Sequence, residues 1–222
     1  MTVNRANPSG AAVRNGESCK SIACAGSGKS LLMHPAGSGL DPDRTGTAPL
    51  KLIACTHAAH AQTILDILNE AIVNSTALYD YTPRPFESMD AWFATKQALG
   101  FPVIGVVDDD GALLGFATYG VFRERPAYKY SVEHSVYVQA DHRGRGIGVV
   151  LMNALIDAAR ERGVHVMVGG IDVGNRASIV MHERLGFVHA GTIREAGFKF
   201  GRWLDLAFYR RQLPGPDQPV DG

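Results

Sequence analysis

Apolar residues follow two regimes along this chain, regular from about Leu50 onward and irregular before it. "LKLIACT", from Leu50 to Thr56, reads as a short buried strand. Ala61, Ile64, Leu65, Leu68 and Ile72 then recur at helical spacing, with Gln62, Asp66, Asn69 and Glu70 on the opposite side. A proline-punctuated polar stretch, "YDYTPRPFESMD", leads into a second helix through Ala91, Trp92 and Phe93. In "FPVIGVVDDDGALLGFATYGVF" two apolar runs flank "DDDG", whose Asp and Gly residues tolerate the positive dihedral angles of a tight hairpin turn. "SVEHSVYV" is another strand, and "IGVVLMNALIDAARER" a helix with Ile147, Leu151, Ala154, Leu155 and Ala158 on one face. Arg160 and Arg162 suit that helix's negative end, and Gly163 is a stop. The strand "VHVMVGGI", a short helix from Asn175 to Leu185, and strands around "GFVHAG" and "WLDLAFY" follow. The order β-α-α-β-β-β-α-β-α-β-β predicts an α/β (α+β) domain, a mixed sheet with helices on both faces.

Residues 1–49 are rich in Gly, Ser, Ala, Asn and Pro and have almost no aliphatic run. Such a segment buries too little apolar surface to offset its chain entropy, so it is expected to be a disordered or non-native extension. It nevertheless carries "ACAGSGKS", Ala23 to Ser30, which has the letters of a phosphate loop. A working loop of that kind needs a buried strand before it and a helix after it. No convincing strand precedes this one, and His34 and Pro35 stop any helix soon after it. Nucleotide hydrolysis is therefore the weakest reading.

Composition narrows the partners. Among 222 residues, 22 Lys and Arg balance 22 Asp and Glu, so no global field favours nucleic acid or an anionic membrane. The absence of a bilayer-length apolar run and of a secretory core predicts a cytoplasmic protein. Cys19 and Cys24 have no second pair to complete a zinc site, and His57 and His60 lack the Glu and spacing of a zinc-protease helix. No metal is expected.

"HRGRGIGV", His142 to Val149, has the context that the first loop lacks, with a strand ending at Val138 before it and a long helix after it. Gly144, Gly146 and Gly148 let backbone amides approach an anion, the helix dipole adds partial positive charge, and Arg143 and Arg145 add full charges. This combination suits a pyrophosphate. Val149 stands where a dinucleotide fingerprint would have its third glycine, and the spacing reads R-x-x-G-x-G instead. A tight turn with two solvated arginines is the plainer alternative.

The run "VEHSVYVQADHRGRGIGVVLMNALIDAARERG" resembles the acetyl-CoA-binding core of the GNAT N-acetyltransferase superfamily. "IDVGNRASIVMHERLGFVHAGTIREAGFKFGRWLDLAFYRR" and "NEAIVNSTALYDYTPRPFES" resemble its branch acting on phosphinothricin, methionine sulfoximine and methionine sulfone. The resemblance spans residues 50–213 and leaves 214–222 as a flexible tail. It implies a mostly antiparallel sheet whose central strands splay to bind acetyl-CoA, and a homodimer. It further implies that Val136, Tyr137 and Val138 pair with the pantetheine arm, that the loop from Arg143 through Gly144, Arg145, Gly146, Ile147 and Gly148 to Val149 holds the pyrophosphate, and that Asn175 contacts the cofactor.

Acetyl transfer to an amine also needs a base. Alternation puts Glu133, Ser135 and Tyr137 on one face of their strand and Val132, His134, Val136 and Val138 on the other. Glu133 matches an acidic residue of the branch and is the candidate base. His182, in "MHERLGF", stands where many relatives have a Tyr that protonates the departing thiolate. Arg123, Glu124 and Arg125 match substrate-contacting positions, and Glu133, His134 and Ser135 complete the implied acceptor pocket. A guanidinium would hold the carboxylate of an amino-acid acceptor bidentately. Trp92, Phe93 and Tyr128 are either acceptor contacts or core aromatics. The competing readings are a transferase for a protein N-terminus or a polyamine, and a CoA-binding regulatory module without turnover.

Overall fold

The computed structural model describes residues 50–221, so "ACAGSGKS", Cys19 and Cys24 lie outside the described residues. β1 (Lys51–Ala54) is followed by α1 (His57–Asn74) and α2 (Ser88–Ala98), then by β2 (Val103–Val107), β3 (Leu113–Val121) and β4 (Ser131–Val138). α3 (Ile147–Glu161), β5 (Val166–Asp172), α4 (Arg176–Arg184), β6 (Val188–Lys199) and β7 (Arg202–Gln212) complete the order, which matches the predicted one. The strands form one seven-stranded sheet in the order β1-β2-β3-β4-β5-β7-β6. Every neighbouring pair is antiparallel except β4 and β5.

Alternation along the strands serves two cores. Val106, Leu114, Ala117, Tyr119 and Val132 meet Leu151, Leu155 and Ile156 of α3 and Ile179 of α4. Val103, Val107, Leu113 and Phe116 meet Ile64, Leu65 and Leu68 of α1 and Met89 of α2. Helices thus cover both faces, as the pattern predicts. Trp92 and Phe93 pack against the second core, whereas Tyr128 is exposed.

Three expectations change in detail. β1 is an edge strand with Lys51, Leu52 and Ala54 exposed, because it pairs only with β2. In α3 the buried stripe runs through Met152, Ile156 and Ala159 rather than Ala154 and Ala158. β6 and β7 are longer than the two apolar fragments suggested. Beyond β7, Leu213 donates to the His165 carbonyl at 2.8 Å, and the Val220 amide donates to Tyr130 Oη at 3.2 Å. No helix among the described residues is long and apolar enough to cross a membrane.

A buried cation joins the β6–β7 turn to α1. Lys199, 4% exposed, donates from Nζ to the carbonyls of Ile72 (2.6 Å), Ser75 (2.9 Å) and Leu78 (2.7 Å). α1 has no basic residue in its own last turn, so Lys199 supplies the positive charge that its carbonyl end favours. Phe200 follows at φ +53° with its ring centroid 5.0 Å from Lys199 Nζ.

Candidate active site

β4 and β5 are hydrogen-bonded only from Ser131 to Glu133, where Glu133 stands opposite Val168. Beyond that point the strands part, while β4 stays paired with β3 as far as Val138. The gap leads into a cleft of about 720 Å³. Val136, Tyr137 and Val138 line it, together with Ala71 and Asn74 of α1, Asn175 and Ser178 of the α4 region, and Phe200 and Arg202 of the hairpin.

The glycine loop borders the same cleft. Gly144 and Gly146 adopt φ +77° and +81°, and among the described residues no atom beyond the chain neighbours lies within 4 Å of where a Cβ would stand at either. The Arg143 amide donates to Ala140 O at 3.3 Å and the Val149 amide to Gly146 O at 3.0 Å. Between them, the amides of Gly144, Arg145, Gly146, Ile147 and Gly148 have no acceptor among the described residues. Consecutive free N–H groups at a helix N-terminus make a nest for an anion, so the donor set fits a pyrophosphate. The arginine side chains are engaged elsewhere. Arg143 pairs with Glu70 and donates from Nε to Val138 O at 3.1 Å, and Arg145 lies 2.9 Å from His142 Nδ1. Asn175 caps α4, its Oδ1 accepting from the Ser178 amide at 3.1 Å, and also lines the cleft.

Glu133 is half-buried at the vertex where the strands part. Burial raises its carboxyl above the ordinary carboxylate range, and the nearby Arg123 guanidinium partly opposes that shift. Arg123, Glu124 and Arg125 sit on the exposed segment after β3, and Arg123 Nη1 donates to the Phe122 carbonyl at 2.7 Å. Ser135 shares the Glu133 face, opposite Thr118.

His134 is on the other face and does not join Glu133 and Ser135. Its ring stacks on His182 at 4.9 Å between centroids, and their Nε2 atoms are 3.1 Å apart. The Ser178 carbonyl, 2.7 Å from His182 Nδ1, can only accept, so Nδ1 carries the proton. His182 Nε2 therefore accepts from His134 Nε2, which leaves the buried His134 Nδ1 without a partner among the described residues. His182 is 1% exposed, with both nitrogens committed inside the protein rather than offered to the cleft. Where a Tyr would project, this chain sets a buried imidazole pair.

Two adjacent glycines of β5 make these placements possible. A Cβ at Gly169 would lie 2.6 Å from His134 Nε2, and one at Gly170 would lie 3.4 Å from Glu133 Oε1. Sequence reading passed over both, although Gly within a strand signals a close approach. It also passed over Lys199, Phe200 and Arg202, which lie inside a family-like stretch but carry no local pattern of their own. No cluster of three or more His, Cys, Asp or Glu side chains suited to a metal occurs among the described residues.

Splayed strands beside an amide nest define a site for an extended, phosphate-bearing ligand. The chain belongs to the acetyltransferase (GNAT) family, whose pattern it matches over residues 64–187. It is 47% identical over 150 residues to an L-methionine sulfoximine/L-methionine sulfone acetyltransferase of Pseudomonas aeruginosa, covering 68% of this chain and 87% of that one. A phosphinothricin N-acetyltransferase of Streptomyces coelicolor is 38% identical over 152 residues, covering 68% and 89%. Among solved structures, a phosphinothricin acetyltransferase from Sinorhizobium meliloti in complex with AcCoA superposes with a TM-score of 0.74 at 34% identity, covering 78% of this chain and 93% of that one. An N-acetyltransferase from Staphylococcus aureus gives 0.72 at 43% identity, covering 74% and 99%.

Proposed function

We propose that this protein transfers acetyl from acetyl-CoA to the α-amino group of a small amino-acid analogue of the methionine sulfoximine, methionine sulfone or phosphinothricin type. The observation that carries the reading is the half-buried Glu133 carboxyl at the vertex of the splayed strands, with the amide nest at the far end of the same gap. When bound, acetyl-CoA supplies the acetyl thioester. The Gly144–Gly148 amides would hold the pyrophosphate, and Val136, Tyr137 and Val138 would offer the backbone groups that β5 leaves free. Asn175 would add a side-chain contact from the α4 end of the cleft.

Glu133 would take the proton from the acceptor's ammonium, since burial makes its carboxylate a stronger base than an exposed one. Arg123 or Arg125 would meet the acceptor's carboxylate, and Ser135 would lie beside the amine. Attack is direct. Cys55, the cysteine among the described residues, has its thiol pushed up to about 12 by burial, which makes it a poor nucleophile. The committed nitrogens of His182 favour a supporting role in the core over protonation of the leaving thiolate.

A cytoplasmic homodimer is part of this reading. Exposed Ile193, Phe198 and Trp203 on β6 and β7 are the apolar surface that a second copy would cover. Release of free thiol from acetyl-CoA, assayed across methionine sulfoximine, methionine sulfone, phosphinothricin, ordinary amino acids, peptides and polyamines, tests the proposal. Turnover with at least one of these analogues is expected. Turnover confined to peptides or polyamines would overturn it.

A further inference from the structure

The glycine loop poses a mechanical problem that its glycines do not solve. Among the described residues, nothing beyond the chain neighbours stands where a side chain at Gly144 or Gly146 would sit, and both adopt backbone angles that only glycine enters freely. A loop of that kind is mobile unless its ends are held, yet its amides bind an anion well only when already aimed. α3 holds the downstream end. The upstream end turns through backbone bonds such as Arg143 N–H to Ala140 O, and the Arg143 guanidinium ties it to α1.

Arg143 divides its donors between two elements. Nε donates to the carbonyl of Val138, the last residue of β4, at 3.1 Å, and Nη2 pairs with Glu70 Oε2 of α1. Glu70 is the less exposed partner, with 29% of its side chain accessible against 48% for Arg143. The next residue of α1, Ala71, lines the cleft, as Arg143 itself does. One ion pair therefore ties the strand that leads into the loop to the helix on the far side of the cleft.

From this geometry we infer that Glu70 is a positioning residue for coenzyme binding, and that Arg143 acts as a strut on Glu70 and Val138 rather than as a phosphate ligand. The inference rests on the acetyl-CoA reading above. It assigns the anion to the backbone amides and gives the arginine the task of keeping them in place.

Charge alone would produce the opposite behaviour. If Arg143 reached the phosphates, Glu70 would only compete for it, and Glu70→Gln would strengthen binding. The two accounts separate best at high ionic strength, where long-range attraction is screened. Calorimetric titration with CoA at about 0.5 M salt, where the screening length is roughly 4 Å, would compare the unaltered chain with Glu70→Gln, Arg143→Gln and the double variant. The double variant removes both charges together and so isolates the geometry.

Each variant is expected to weaken CoA by about five- to tenfold, with the double variant no worse than Arg143→Gln, because the two residues act as one unit. KM for acetyl-CoA should rise by the same factor while kcat stays near its original value. Equal or tighter CoA binding by Glu70→Gln at high salt would overturn the assignment. So would a double variant whose losses simply add. If the unaltered chain binds no CoA, the acetyl-CoA reading fails and this inference with it. If it binds CoA and the variants bind equally well, only the inference fails.

Discussion

At Glu133, burial favours the neutral carboxyl and Arg123 favours the anion, with burial the larger influence. A base must be ionised to act, so kcat/KM is expected to climb with pH through the raised pKa and then level off. Stability runs the other way. The folded pKa lies above the unfolded value near 4.5, so the contribution to stability is complete below that value. It is lost as pH rises through the folded pKa. Glu133→Gln should therefore lose about 10²- to 10⁴-fold in kcat/KM while melting no lower than the unaltered protein at neutral pH. Full activity in that variant would remove Glu133 as the base. The imidazole pair has its own signature. Burial, reinforced by the neighbouring His182, pushes the His134 pKa down to about 3, and burial lowers that of His182 as well. With folded values below the ordinary 6.5, the pair stabilises the fold above that pH and loses the contribution as pH falls toward about 3. Thermal melts from neutral to acid pH should fall more steeply for the native chain than for a His134→Phe, His182→Phe double variant. Parallel curves would mean that the pair is not held neutral.

The strand β5 shows how a sequence of small residues sets the chemistry of its neighbour. Gly169 makes room for the His134 ring on one face, and Gly170 leaves the Glu133 carboxyl in ordinary contact on the other. Gly169→Ala should force the imidazole pair apart and cost about 1–3 kcal/mol, read as a lowered denaturation midpoint. Gly170→Ala should fold nearly as well, because its methyl group meets Glu133 Oε1 only at 3.4 Å. Equal losses in both would show that strand conformation matters more than the side chains beside it. Long elements such as α1 were legible because their apolar period is unbroken, and Ala61, Ile64, Leu65, Leu68 and Ile72 are all buried as spaced. The β6–β7 hairpin was harder to read. Lys199 pairs with Arg202 across Phe200 and Gly201, both at positive φ. That is a two-residue turn in which Phe stands where Asn or Asp would announce it. β6 is also largely exposed, so it lacks the alternation of a half-buried strand.

Whole-molecule features were legible to different degrees for a physical reason. The amide nest is local, and the string "HRGRGIGV" between a strand and a helix was enough to mark it. The splay depends on where β4 and β5 stop pairing, and no residue near Glu133 announces that; only the resemblance to a family supplied it. The Glu70–Arg143 strut joins residues far apart in the chain, and neither one's local pattern points to the other. The same distinction between local letters and assembled geometry applies to residues 1–49. The family match begins at residue 64, and the described residues lining the cleft run from Ala71 to Arg202. Val136 to Val138 and the glycine loop all lie within the matched residues. A chain lacking residues 1–49 is accordingly expected to keep the CoA affinity and kcat/KM of the full-length protein. Titration with CoA and with ATP, alongside the acetyl-transfer assay, would check this. Loss of acetyl transfer on truncation would show that the extension serves the site. ATP binding that disappears with the extension would revive the phosphate-loop reading, because then those letters would have found a strand and a helix elsewhere in the fold to make them work.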